Sequence, residues 1–138
     1  MNKVIKSLHY LPSIPTALWF VMLVIVAMLL FLGRNVELLH SDTLEEVLPG
    51  FYSHVSNFTL SVLLYGTFGY VGLLFGMPFR YLVSAGVVVI VLNILTELFL
   101  SVLNTPDLID ALYGSVGVLI TFGFLIIAMK YGLQTNTL

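Results

Sequence analysis

The 138-residue sequence predicts an all-α integral membrane protein, a four-transmembrane-helix bundle with a short interfacial helix in its first outer loop. Two observations carry this expectation. Apolar residues make up 59% of the chain and charged residues 9%, where a soluble domain carries about 25% charged, so there is too little polar surface to coat a globule in water. The apolar residues also gather into four runs of the length a bilayer demands, about 20 residues for each helix. Mean hydropathy is correspondingly high, at +1.08. Strands are excluded as spanning elements, because an open sheet in lipid leaves backbone N–H and C=O groups unpaired.

The same composition removes whole classes of function. A soluble enzyme and a disordered segment are both out. Five Lys and Arg residues in all cannot form the basic surface that nucleic-acid binding requires. With no cysteine there is no disulfide framework, iron–sulfur ligand or thiol nucleophile.

The first span is expected over about 12–33, inside an uncharged stretch of 24 residues from Tyr10 to Gly33. Lys3 and Lys6 precede it as they would in a signal peptide. The apolar core is too long for that and no small-residue cleavage pattern follows, so it reads as a retained anchor. Pro12 and Pro15 fall at its start, where a helix tolerates proline best. The connection from Arg34 to about Ser53 contains Thr43, Leu44, Glu45 and Glu46, a capping-box pattern, with Val47 and Leu48 following. A short amphipathic helix on the outer membrane surface is expected there, ended by Pro49 and Gly50.

The second span, about 54–77, lies in the 25 uncharged residues between His54 and Arg80. The third, about 81–103, holds a single charge, Glu97. The fourth, about 107–130, contains 19 uncharged residues from Ala111 to Met129 and is closed by Lys130. No repeat of fixed period and no linker interrupts the chain, so residues 1–138 form one transmembrane domain.

Direction follows from the basic residues. Lys3, Lys6, Arg80 and Lys130 fall on one side of a four-pass topology and Arg34 on the other. The positive-inside rule therefore places both termini in the cytoplasm, in a plasma (inner) membrane of bacterial type. Glu37, Asp42, Glu45, Glu46, Asp107 and Asp110 all lie on the opposite, outer side.

An ionisable side chain inside a span costs about 3 kcal/mol on insertion scales and marks a functional candidate. Glu97 stands seven residues before Asn104, about 10 Å below the outer helix end at 1.5 Å per residue. Asn93, Glu97, Ser101 and Asn104 share one stripe of the third span. In the second span His54, Asn57, Ser61, Tyr65, Gly69, Gly72 and Gly76 step by three or four, polar at the outer end and glycine-rich at the inner. Asp110, Gly114, Gly117 and Thr121 do the same in the fourth. The polar ends of the three stripes should converge into one outward-facing pocket of His54, Asn57, Asn93, Glu97, Asp107 and Asp110. Arg34 is the strong cation on that side, with His40 and His54 as titratable helpers.

Each of these residues has a plainer use. Asp107 follows Thr105 and Pro106 and would complement a helix dipole. Glu97 would hold two helices together while hydrogen-bonded to Asn93. The glycines would let helices approach closely. His54 with Glu97, Asp107 and Asp110 makes only a sparse His/carboxylate pattern, so neither a metal nor a cofactor is expected.

In these residues the chain resembles the VanZ-like membrane proteins. That family has a His at the mouth of one span, a Glu in the next, then an Asp and spaced glycines opening the last. Here His54 with Asn57, Glu97, Asp107 and Asp110, and Gly114 with Gly117 stand in that order, over about Pro49 to Phe122. The family's Asp-Lys pair before the His is replaced by Gly50, Phe51, Tyr52 and Ser53. Leu100 stands in place of its Gln, Asn104, Thr105 and Pro106 in place of its arginine, and Gly114 in place of an Asn. The resemblance implies a cell-envelope role linked to glycopeptide susceptibility.

Two functions from different classes are expected. In the first, the pocket binds a membrane lipid or a lipid-linked head group through charge-assisted hydrogen bonds. A hydrolytic extension would use His54 as general base or nucleophile, but no phosphate-binding arginine is evident and no enzyme is required. In the second, the chain is an accessory or assembly subunit of a larger membrane complex, with Tyr65, Phe68, Tyr70, Phe75 and Phe79 as a partner face. A channel or carrier is disfavoured, because no charged residue continues a path through the inner half.

Overall fold

The computed structural model describes residues 7–99 and 107–137. Lys3, Lys6, Leu100, Ser101, Asn104, Thr105 and Pro106, used in the sequence reading, lie outside these described residues. Four helices are long and apolar enough to cross a membrane. In chain order, the elements are β1 (Tyr10–Pro12), α1 (Ile14–Leu32), a short α2 (Asp42–Val47), α3 (Phe51–Leu74), α4 (Phe79–Phe99), α5 (Leu108–Ile127) and β2 (Leu133–Thr135). A 3-10 turn, Glu37–Leu39, precedes α2, and a π turn, Ala128–Gly132, continues α5.

The helix ends differ from the expected ones for local reasons. α1 starts at Ile14 rather than at Pro12, because Pro12 belongs to β1 and the Ser13 side chain caps the helix by accepting from the Thr16 N–H. The capping box expected at Thr43 and Glu46 does not form. Ser41 is the cap of α2, its hydroxyl accepting from the Leu44 N–H, so the helix begins two residues earlier and Leu44 occupies the third position. Glu45 has a different task. Its carboxylate accepts from the Gly50 N–H at 2.8 Å and the Tyr52 N–H at 3.5 Å, satisfying donors at the start of α3 that the helix itself leaves open. α3 therefore starts at Phe51, three residues before the expected position, with Gly50 at φ 79° making the turn.

α3 ends at Leu74, not 77, and Gly76 lies in the turn beyond it at φ 81°. Gly76 is thus a turn glycine rather than part of a helix-packing stripe. Asp107 itself caps α5, accepting from the Ile109 N–H at 2.9 Å.

α3 is the centre of the bundle. It packs most extensively on α5, then on α1 and α4, and α5 packs on α4. Burial follows this order: 44% of the apolar window of α3 is buried, against 33% for α5 and 11% for each of α1 and α4. The latter two thus present most of their apolar surface outward, as lipid-facing helices do.

The core divides lengthwise. Tyr65, Tyr70, Leu73, Leu82, Val89, Val118 and Leu125 fill the half nearer the chain termini. Phe51, Tyr52 and Val55 fill the half nearer the 33–50 connection, with Leu30, Phe31, Leu44 and Tyr113 against them. We refer to these as the termini end and the loop end.

A two-stranded sheet at the termini end departs from the all-α expectation. β1 and β2 pair antiparallel, with Tyr10 opposite Thr135 and Leu11 opposite Gln134. The helices bring the two flanking segments together, and pairing satisfies backbone groups that would otherwise be left open. The aromatic residues expected to form one partner face are split: Tyr65 and Tyr70 are buried, whereas Phe68, Phe75 and Phe79 are exposed.

Candidate functional site

At the loop end, polar side chains of four helical segments line one cleft of about 330 Å³: Arg34, Ser53, His54, Ser56, Asn57, Glu97, Asp107 and Asp110. The local sequence explains how each arrives there. Ser53, Ser56 and Asn57 recur at i, i+3 and i+4 on the first two turns of α3 and so share a face. His54 borders that face and meets α5. Asp107 and Asp110 are the cap and the third residue of α5, directly opposite. Arg34 follows Gly33, whose bare Cα packs against Tyr52; a Cβ there would meet the Leu39 carbonyl oxygen at 2.7 Å and the Tyr52 ring at 2.9 Å.

Three sets of contacts join these segments across the cleft. His54 Nδ1 lies 2.8 Å from Asp110 Oδ1 and 3.7 Å from Asp107 Oδ2. Asn57 donates through Nδ2 to Glu97 Oε1 at 3.1 Å. Arg34 donates to the Ser56 hydroxyl at 2.9 Å. The His54 side chain is 16% exposed and that of Asp110 15%, while Asp107, at 37%, stands at the mouth. Behind His54, the Tyr113 ring lies 5.3 Å away, tilted by 32°.

Six of the seven residues singled out in the sequence therefore meet in one cleft: Arg34, His54, Asn57, Glu97, Asp107 and Asp110. Asn93 does not line it. It lies one turn deeper, donating to Ser61 Oγ at 2.9 Å and packed over Gly114, where a Cβ would stand 2.5 Å from its amide nitrogen. The expected Glu97–Asn93 pairing is replaced by Glu97–Asn57. His40 is also absent from the cleft, with its Nδ1 3.0 Å from the Gly33 carbonyl oxygen and its ring on Tyr52.

Ser53, Ser56 and Tyr113 were missed in the sequence. The two serines were legible as neighbours of Asn57 on a helical wheel. Tyr113 was not, since its role depends on how α5 faces α3.

The charges are unevenly matched. Among the described residues, no carboxylate lies within ion-pair distance of Arg34, and the acidic side chains of the cleft have only His54 as a basic neighbour. Three carboxylates against one guanidinium give the cleft a formal charge of −2 with His54 neutral. The arrangement can orient an imidazole, since Asp110 accepting from Nδ1–H fixes the ring and leaves Nε2 directed toward Gly50. It can also bind a ligand bearing both donors and acceptors.

On the other flank of the same α3–α5 seam runs an apolar groove of about 430 Å³. Leu30, Leu44, Leu48, Phe58, Val116 and Tyr113 are among its lining residues. Tyr113 thus borders the groove on one side and touches His54 of the cleft on the other.

Comparison with protein-family models, with curated proteins and with solved structures found no match for this chain.

Proposed function

We propose that this chain binds the polar head group of a membrane lipid or lipid-linked amphiphile in the loop-end cleft. The observation that carries the reading is the convergence of Arg34, His54, Asn57, Glu97, Asp107 and Asp110 from separate helices on one open cavity. Polar side chains that served only to join helices would be closed off, whereas these border an open cavity. Among the described residues, Arg34 shares that space with three carboxylates and forms no ion pair with any of them. The apolar groove beyond Tyr113 offers the complementary surface for hydrocarbon, so one amphiphile fits both halves of the arrangement.

Binding, rather than hydrolysis, is the function we assign. The Ser56 hydroxyl is held by Arg34 and His54 Nδ1 by Asp110, an arrangement suited to orienting a bound head group. We further propose a cell-envelope setting with both termini cytoplasmic. The basic residues support that orientation, and the VanZ-like order of His54, Glu97, Asp110 and Gly114 supports the setting.

Native mass spectrometry of the protein released from its own membrane in mild detergent tests this. The expected species is the 15.3 kDa chain with one retained amphiphile, its occupancy falling at least tenfold in Glu97→Gln. A bare chain in both versions overturns the proposal. Recovery only within a larger assembly of other polypeptides favours an accessory subunit instead.

A further inference from the structure

We infer that His54, Asp107 and Asp110 form a divalent-cation site at the mouth of this cleft. The inference rests on the cleft reading above and deepens it, since it says how an excess of negative charge receives an oxygen-rich head group.

The geometry comes first. His54 Nδ1, Asp107 Oδ2 and Asp110 Oδ1 are 2.8 Å and 3.7 Å apart along the two histidine edges, and the one-atom-per-residue set lies within 4.8 Å throughout. Metal bonds of about 2.0–2.2 Å to imidazole nitrogen and carboxylate oxygen require ligand–ligand edges of roughly 3–3.5 Å in tetrahedral or octahedral sites. The two histidine edges straddle that range. Only Asp107 must move inward, and it is the most exposed of the three.

The ligand set is also free to bind without dismantling the fold. Asp107 uses Oδ1 to cap α5, through the Ile109 N–H, whereas Oδ2 is the oxygen turned toward His54. Among the described residues Asp110 makes no capping bond, and its side-chain partner is His54. The ring proton that bridges Nδ1 and Asp110 moves to Nε2 when a cation takes Nδ1. Nε2 faces Gly50, where the absence of a side chain leaves room for a water or a ligand acceptor.

Charge argues the same way. Arg34 is turned to Ser56, not to the acids, so a divalent ion cancels the formal −2 of the cleft. One imidazole with two carboxylates suits a borderline ion such as Zn²⁺ or Mn²⁺ rather than a soft one. Three protein ligands leave at least one coordination position open, as in sites that receive water or substrate. An anionic oxygen of a phosphate- or carboxylate-bearing head group fills that position, with Arg34 in the same cleft to meet the remaining charge.

The test is metal titration of the full chain, without a polyhistidine tag, stripped with chelator in detergent. Bound Zn²⁺ is counted by elemental analysis after desalting and its affinity taken by calorimetry, with Mn²⁺ in parallel by electron paramagnetic resonance. The expected result is one ion per chain, with affinity falling at least tenfold in His54→Gln, Asp107→Asn and Asp110→Asn, and within twofold of the parent in Tyr65→Phe, a residue outside the cleft. Asp107→Asn retains an excellent helix cap, so it separates loss of a ligand from loss of fold. No stoichiometric ion on the parent chain, or binding that survives both His54→Gln and Asp107→Asn, overturns the site. An amphiphile retained by chelator-stripped protein that takes up no metal also overturns it, while leaving the proposed function standing. Stoichiometric metal with no retained amphiphile does the reverse.

Discussion

The two ends of the α3–α5 seam solve opposite problems. Toward the termini the helices meet through small residues and apolar side chains: Gly69 lies against Leu82 and Leu125, and Tyr65 is fully buried over Gly86. Toward the loop the same helices meet through His54 and Asp110, and α3 meets α4 through Asn57 and Glu97. The polar side chains at the loop end meet in separate pairs and border an open cleft of about 330 Å³. The apolar core packs tightly at one end, and the other is left open as a polar cleft. Substitutions that strike one end should therefore differ in kind, as well as in size, from those that strike the other.

The largest expected effect lies where the two regimes meet. A Cβ on Gly117 would stand 2.6 Å from the Phe58 carbonyl oxygen and 3.3 Å from Ser61 Cβ. Backbone cannot yield as a flexible side chain does. Gly117→Val should thus force α3 and α5 apart and cost about 3 kcal/mol, seen as a lowered midpoint of thermal unfolding in detergent. An unchanged midpoint would break the claim that close backbone approach holds this seam.

Next comes a pair of variants at Glu97. Glu97→Leu removes the acceptor of the Asn57 amide and should destabilise by about 1–2 kcal/mol, the cost of leaving a part-buried polar group unpaired. Glu97→Gln keeps an acceptor and should stay within about 0.5 kcal/mol of the parent while losing the amphiphile. Retention of the amphiphile by Glu97→Gln would make Glu97 a purely structural residue and remove the contrast between the ends.

Glu45→Ala tests how the loop end is held. Its carboxylate serves the Gly50 and Tyr52 N–H groups, and removal should cost about 1 kcal/mol, as for other helix caps. Hydrogen exchange should speed up at the start of α3, leaving its second half unaltered.

Much of this contrast was legible in the sequence, and the reason is periodicity. Charge-free runs report the bilayer directly, so the four spans could be placed to within a few residues. Steps of three and four placed His54 with Asn57, and Gly114 with Gly117, on common faces. What could not be read were choices made between helices or by single caps. Glu97 has acceptable partners at Asn93, on its own helix, and at Asn57, 40 residues away. Only the rotation of α4 against α3 decides between them. The start of α3 depended on the positive φ of Gly50 and on a carboxylate from the preceding loop, and Thr43 with Glu46 offered an equally good motif that the fold does not use. The β1–β2 pair was invisible because neither three-residue segment has a strand signal by itself.

The smallest effect is the most informative about whether the ends act independently. Tyr65 donates its hydroxyl to the Leu82 carbonyl oxygen at 3.0 Å, with its ring over Gly86, wholly within the termini-end core. Tyr65→Phe keeps the ring and removes one hydrogen bond, worth about 0.6 kcal/mol between helices in a bilayer. Because Tyr65 does not line the cleft, amphiphile occupancy should match that of the parent. Combined with Glu97→Gln, the two stability changes should add to within about 0.5 kcal/mol, as for sites with no shared partner. A loss of amphiphile in Tyr65→Phe, or a clear departure from additivity, would mean that α3 and α4 shift as one unit. The cleft would then depend on how tightly the opposite end is packed.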